Sequence, residues 1–126
     1  AINLCGAIKD EDGLYPAGSE VAAELPVREG APTAYFAAFD CKKIQNALKE
    51  ENIPAVLSYS AGTYICNYIM FSALDIIACE NRKATAGFIH LPYADCQKSG
   101  APSMGIDAMT RAIEIALAQI IQGENL

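Results

Sequence analysis

Residues 55–93 read AVLSYSAGTYICNYIMFSALDIIACENRKATAGFIHLPY, and this stretch decides the fold class. It predicts a buried strand over 55–60 and a helix over 61–80 that is apolar nearly all round and therefore buried. A turn at 81–84 follows, and then a second buried strand over 85–93 that stops at Pro92. Two parallel strands joined by a helix form a right-handed crossover, so the stretch indicates an α/β fold.

The segments before this stretch are less regular. Residues 1–8 alternate weakly and predict a strand. Residues 9–33 are rich in glycine, proline and acidic residues, which indicates a long irregular arm with one short strand near 21–25. Loops of this length in compact domains are usually functional or lie at an interface.

Two further helices flank the central unit. Asp40 is a predicted N-cap for a helix over 41–51, which Asn52 can close and Pro54 ends. After a loop over 94–105, the chain ends in a helix whose apolar residues recur every three or four positions. That predicted stripe consists of Ile106, Met109, Ile113, Leu117 and Ile120. The whole order predicts one domain over residues 1–126, a three-layer sandwich with a mostly parallel sheet flanked by helices.

Composition narrows the class of protein. The chain has 126 residues, is 52% hydrophobic and carries a net charge of −6, with no basic stripe, so a nucleic-acid partner is not expected. No apolar run reaches the roughly 18 residues of a membrane helix. Five cysteines without a CxxC pair, and a single histidine, favour reduced thiols and disfavour a zinc site. The opening AINLCGAIKD is unlike a signal peptide and suggests that a segment precedes it.

Two residues of the crossover unit could form a catalytic site. Ligands in parallel sheets bind at the carboxyl ends of the strands, where Cys66 and His90 are both predicted to lie. A thiol near the start of a helix favours the thiolate form, and His90 is the chain's single imidazole. For each residue alone, a structural role in the core is the simpler interpretation.

A serine hydrolase is the rival interpretation. The run SYSAG approximates a nucleophile elbow around Ser60, and Asp75 and His90 follow in the order that such hydrolases use. Ser58 stands where the elbow prefers glycine, and Asp75 falls in the middle of an apolar helix. We therefore expect Ser60 to cap the entry to the helix instead.

Three motifs resemble the pyroglutamyl peptidase I family, also called pyrrolidone-carboxylate peptidases. They are NIPAVLSYSAGTYICNYIMF at 52–71, GFIHLPY at 87–93 and EGAPTAYFA at 29–37, and the resemblance runs through essentially the whole chain. It implies a cytoplasmic cysteine peptidase that removes an N-terminal 5-oxoproline from peptides without metal or cofactor. It also implies homo-oligomers, commonly tetramers, with Cys66 on the family's nucleophile and His90 on its general base.

The chain departs from the family in three respects. The glutamate that completes the family's triad lies upstream of the segment resembling AIN, and the aromatic residues of the substrate pocket lie in the family's N-terminal half. The family arginine near the start of the arm has no counterpart in AIKDEDG at 7–13, where only Lys9 is nearby. We therefore expect a C-terminal portion of a peptidase domain, inactive on its own. A non-catalytic fragment or degenerate relative that acts only by assembly is the alternative.

Overall fold

We describe the fold from a computed structural model, in residues 1–4, 25–97 and 100–124. These residues form three helices, α1 (Cys41–Glu50), α2 (Ile65–Cys79) and α3 (Ile106–Glu124). Two short strands, β1 (Tyr93–Ala94) and β2 (Ser103–Met104), pair in parallel, with Tyr93 opposite Ser103. The helices and the parallel sheet confirm the α/β class.

The chain divides into two compact units. The first unit combines Ala1–Ala38 with Ser58–Phe88, and the second combines Phe39–Leu57 with Ile89–Leu126. The prediction of a single domain over residues 1–126 stays a prediction. The predicted arm over 9–33 and the short strand near 21–25 fall mostly outside the described residues.

The predicted strands of the crossover unit are not formed. Residues 55–60 have no regular secondary structure, and the side chains of Val56 and Tyr59 are 93% and 96% exposed. Of the predicted second strand, 85–93, only Tyr93 lies in a ladder, so Pro92 precedes a strand and does not end one. Both predictions were wrong because a strand needs hydrogen-bonded neighbours, and apolar composition alone cannot supply them.

The first unit is built around one face of α2. The buried residues of this helix are Asn67, Met70, Phe71, Leu74 and Asp75. Phe71 packs on Tyr35 with ring centroids 5.1 Å apart. The opposite face stays open, with Ile65, Tyr68, Ile69 and Ile76 exposed. The helix was correctly predicted, but the expectation of burial all round was wrong for this second face.

Residues 1–4 pair with residues 33–35 beside α2. Ile2 and Ala34 form an antiparallel bridge, the Asn3 N–H donates to the Thr33 carbonyl at 2.8 Å, and the Tyr35 N–H donates to the Ala1 carbonyl at 2.8 Å. This pairing is the part of the predicted first strand, 1–8, that falls within the described residues. It involves the odd-numbered residues of the segment, so the backbone groups of Ile2 point the other way.

The second unit is held by the packing of α1 on α3. Its core consists of Ile44, Leu48, Ile115 and Ala116, with Phe39, Ala47, Ile53, Ala112 and Ile120 packed against it. Both helices were correctly predicted. The stripe predicted for α3 was correct for Ile120, which packs against this core, and wrong for Ile106 and Leu117, which are 61% and 52% exposed. The packed face of α3 centres on Ile115 and Ala116, and the small side chain of Ala116 lets a neighbouring helix approach closely.

The ends of α1 follow the sequence signals. The carboxylate of Asp40 accepts hydrogen bonds from the N–H groups of Lys42 and Lys43, each at 3.0 Å. At the other end Asn52 adopts a left-handed conformation, φ 57°, and its N–H donates to the Lys49 carbonyl at 3.0 Å. Both predicted caps are therefore confirmed.

Candidate active site

The turn that leads into α2 uses both serines of the SYSAG run. The Ser58 hydroxyl donates to the Ser60 carbonyl at 2.8 Å, and the Ser60 hydroxyl accepts from the Gly62 N–H at 3.0 Å. Gly62 has φ 76°, a conformation that glycine adopts without steric cost. Ser60 therefore stabilises the turn itself. The expectation that it caps the helix was wrong, because α2 begins at Ile65 with Tyr64 at its N-cap.

Cys66 lies in the first turn of α2. It is half-buried, and none of the four described cysteines, Cys41, Cys66, Cys79 and Cys96, is in a disulfide. The N-cap residue of α2, Tyr64, makes no side-chain capping hydrogen bond. Cys66 is thus placed where backbone N–H groups and the positive end of the helix dipole converge, as the sequence predicted.

The residue after Cys66 is a buried polar clamp. Asn67 is fully buried, and its side-chain oxygen accepts from the Ile2 N–H at 2.8 Å. Its side-chain nitrogen donates to the carbonyls of Ile2 and Leu4, at 2.9 and 3.1 Å. The clamp ties the first turn of α2 to the segment 1–4.

A charged cluster holds the second half of the same helix. Asp75 accepts from the guanidinium of Arg28 through both carboxylate oxygens, the longer contact being 2.8 Å, and from the Tyr35 hydroxyl at 2.8 Å. The Cys79 thiol lies 3.3 Å from the same guanidinium. The hydrogen bonds from Arg28, supported by the one from Tyr35, lower the pKa of Asp75 to about 2, although burial opposes them. Asp75 is therefore an ionised anchor.

This cluster weakens the serine interpretation. A triad aspartate must be available to orient a histidine, whereas the oxygens of Asp75 are engaged by Arg28 and Tyr35. The Ser60 hydroxyl accepts from the Gly62 N–H and so takes part in the turn before the helix.

His90 lies in the second unit, in the irregular segment before β1, and is exposed. Cys66 belongs to the first unit. The pairing of the two residues as nucleophile and base stays a prediction. Lys9, the basic residue nearest to the position of the family arginine, falls outside the described residues.

The sequence analysis missed Arg28 and Asn67. A signal for Arg28 was present, because Asp75 is the single charged residue within α2, and a buried carboxylate requires a cationic or hydrogen-bonding partner. Asn67 could have been noticed as an amide in a strongly apolar helix, but its partners are backbone groups, which every residue carries.

The described part of the chain also contains a groove of about 490 Å³, whose lining includes neither Cys66 nor His90. It is lined by Lys42, Gln45, Asn46, Lys49, Ile53, Pro54, Ala55 and Val56. Within the described ranges, no group of three or more histidine, cysteine or acidic residues is arranged to hold a metal ion. None of the helices there is both long and apolar enough to cross a bilayer.

Comparison with known proteins gives a consistent result. A sequence model of a protein family described as pyroglutamyl peptidase matches residues 1–123. The pyrrolidone-carboxylate peptidase of Bacillus amyloliquefaciens is 38% identical over 119 residues, which cover 92% of this chain and 53% of the relative. That of Thermococcus kodakarensis is 39% identical over 125 residues, covering 97% and 58%. The chain therefore spans little more than half the length of these relatives.

Solved structures agree with the sequence relatives. The pyrrolidone carboxyl peptidase of Thermococcus litoralis matches with a TM-score of 0.83 and 37% identity, over 97% of this chain and 57% of that one. The enzyme of Pyrococcus furiosus matches with a TM-score of 0.85 and 33% identity, over 98% and 61%. Identities above 30%, together with these scores, indicate a shared fold over nearly the whole of this chain.

Proposed function

Because the chain belongs to the pyroglutamyl peptidase family, we propose that it carries the nucleophile and base of a cysteine peptidase that removes N-terminal pyroglutamyl residues from peptides. Cys66 is the nucleophile and His90 the general base. The observation that carries the proposal is the position of Cys66 in the first turn of α2, in a chain matched by the family over residues 1–123.

The proposed reaction is acyl transfer through a thioester. The Cys66 thiolate attacks the pyroglutamyl carbonyl, and the C–N bond of the scissile peptide breaks as His90 gives its proton to the leaving amine. Water, deprotonated by His90, then attacks the thioester, releases 5-oxoproline and restores the thiol. We assign stabilisation of the developing oxyanion to backbone N–H groups of the first turn of α2. The proposal includes no metal or cofactor.

The chain spans only part of the length of its relatives, and this favours a second proposal, which concerns the activity of the 126 residues alone. The 126 residues match 53% and 58% of the two relatives. We expect the 126 residues alone to show no turnover, because the group that orients His90 and the substrate pocket would be missing. Losing the orienting member of a triad costs about 10⁴ in kcat in serine proteases. The alternative, a non-catalytic chain that acts by assembly, predicts that no partner segment restores activity.

The nucleophile is tested by thiol labelling. We expect iodoacetamide near pH 7 to modify Cys66 ahead of Cys41, Cys79 and Cys96, although these three are more exposed. Peptide mapping by mass spectrometry after short exposure gives the four rates. Labelling in the order of exposure, with Cys66 last, would contradict an activated site.

The reaction is tested in a hybrid enzyme. This chain replaces the matching part of the Bacillus amyloliquefaciens peptidase, and release of coumarin from a pyroglutamyl-coumarin amide is measured. We expect turnover that Cys66→Ser and His90→Ala abolish and Ser60→Ala leaves largely intact. A hybrid that is folded by circular dichroism, and whose turnover survives Cys66→Ser, would refute the assignment.

Location and assembly complete the proposal. We place the protein in the cytoplasm, acting on pyroglutamyl peptides as a homo-oligomer, with neither nucleic acid nor membrane as a partner. The four described cysteines, none of which is in a disulfide, suit a reducing compartment. The exposed apolar face of α2 leaves room for an interface. Sedimentation of the hybrid tests the oligomeric state.

A further inference from the structure

We propose that Asn67 is a positioning residue, which fixes the first turn of α2, and with it Cys66, against the backbone of residues 1–4. The inference rests on the proposed role of Cys66 as nucleophile. Asn67 itself is fully buried and is assigned no contact with substrate.

The clamp adds hydrogen bonds along the edge of the segment 1–4 that faces away from residues 33–35, where, among the described residues, the main chain itself supplies only the bond from the Leu4 N–H to the Ile2 carbonyl, at 2.9 Å. One edge of the segment 1–4 is paired with residues 33–35. The other edge presents the N–H and carbonyl of Ile2 and the carbonyl of Leu4, and all three accept or donate a hydrogen bond with the side chain of Asn67. The side-chain amide thus takes the place that a peptide group of a neighbouring strand would occupy.

Few other side chains could fill this place. Alanine would leave the Ile2 N–H without this partner, in a place where Asn67 is wholly shielded from solvent. Aspartate would direct a carboxylate at two carbonyl oxygens. Glutamine carries the same amide one methylene further from the helix and would push the first turn away from the segment. The geometry therefore depends on an asparagine at this position.

The clamp is the anchor that lies nearest to the nucleophile. Tyr64 provides no side-chain cap for the start of α2. The other polar anchor, Asp75 with Arg28, lies eight residues further along, about 12 Å down the helix axis. Without Asn67, the first turn would lose three hydrogen bonds to residues 1–4, directly beside Cys66.

The test compares Asn67→Ala with Leu74→Ala. Leu74 is buried on the same helix two turns away, so its truncation destabilises α2 without touching the clamp. The readout is the iodoacetamide rate of Cys66 divided by that of Cys41, which is exposed and lies in the other unit. We expect Asn67→Ala to lower this ratio at least tenfold and Leu74→Ala to leave it within twofold. Equal changes in the two variants would overturn the positioning role.

Two further measurements separate this proposal from the proposed function. Amide hydrogen exchange at Ile2 reports the clamp without reference to catalysis, and its protection should be lost in Asn67→Ala and kept in Leu74→Ala. Protection that persists in Asn67→Ala refutes the clamp. In the hybrid enzyme, Asn67→Ala should lower kcat and leave KM within twofold, and a change in KM alone would overturn positioning. A wild-type Cys66 that labels last refutes the proposed function, whatever the exchange data show.

Discussion

Truncating Phe71 to alanine should release α2 from the first unit. Phe71 is fully buried, and its ring lies 5.1 Å from that of Tyr35, inclined at 55°. Removal of a fully buried phenylalanine side chain costs about 3–5 kcal/mol through lost burial and the cavity that remains. Of this, the aromatic pair accounts for about 0.5–1.5 kcal/mol. Phe71→Leu, which refills most of the volume but not the ring contact, should cost about 1–2 kcal/mol.

Amide hydrogen exchange followed by NMR measures the loss of stability at the individual amides of α2. A loss of 3 kcal/mol corresponds to faster exchange by about a hundredfold for the amides of α2 that exchange through opening of the unit. Ile69→Ala is the matched control, since Ile69 is 55% exposed on the same helix and its loss should stay within about 0.5 kcal/mol. The reasoning fails if the two alanine variants accelerate exchange equally, because α2 would then not be held by its Phe71 face.

Two further predictions concern acid and helix capping. The depressed pKa of Asp75, about 2 against about 4 in an unfolded chain, stabilises the first unit above pH 4, and this contribution is lost as the pH falls from about 4 to about 2. The midpoint temperature of thermal unfolding, measured between pH 2 and 6, should therefore fall as the pH falls from about 4 to about 2, and Asp75→Asn should flatten this pH dependence. An unchanged pH dependence in Asp75→Asn would mean that other carboxylates dominate it. Asp40→Ala should cost about 1 kcal/mol in urea unfolding of α1, and Asp40→Asn much less. Equal losses in both variants would show that the capping bonds are not the stabilising contacts.

Sequence reasoning succeeded for features whose causes are local. The ends of α1 were predicted because Asp40 caps neighbouring N–H groups and Asn52 can adopt a left-handed conformation, and both effects act within a few residues. The class of the fold followed from the alternation of segments. The position of Cys66 near the start of a helix followed from the glycine turn before it.

Sequence reasoning failed where a structural feature depends on residues far away along the chain. The run at 55–60 has a strand's composition, yet Val56 and Tyr59 are almost fully exposed and no ladder forms there. A pattern of apolar residues indicates that a segment can form a strand. It does not indicate whether another segment pairs with it. The face of α3 that packs was mistaken for a similar reason, because apolar residues lie on more than one side of that helix.

For the candidate site, sequence reasoning proposes the reactive residues but missed the side chains that hold their helix in place. Cys66 and His90 could be selected as reactive side chains, and the family resemblance agreed. The supports, Asn67 and Arg28, act through partners 63 to 65 and 47 residues distant in sequence. No periodicity or spacing rule connects such pairs, although the lone charge of Asp75 in an apolar helix does indicate that a partner must exist.

The two supports together explain why polar groups are buried in so apolar a helix. Burial of α2 on its Phe71 face resists separation, but apolar contacts tolerate sliding and rotation because they have no direction. Asn67 and Asp75 are eight residues apart, so they point about 80° apart around the helix axis and lie about 12 Å apart along it. Two directional contacts at different heights and angles fix both the rotation and the translation of the helix. Since one residue of slippage would turn Cys66 by about 100°, the orientation of its thiol depends on both contacts being made at once.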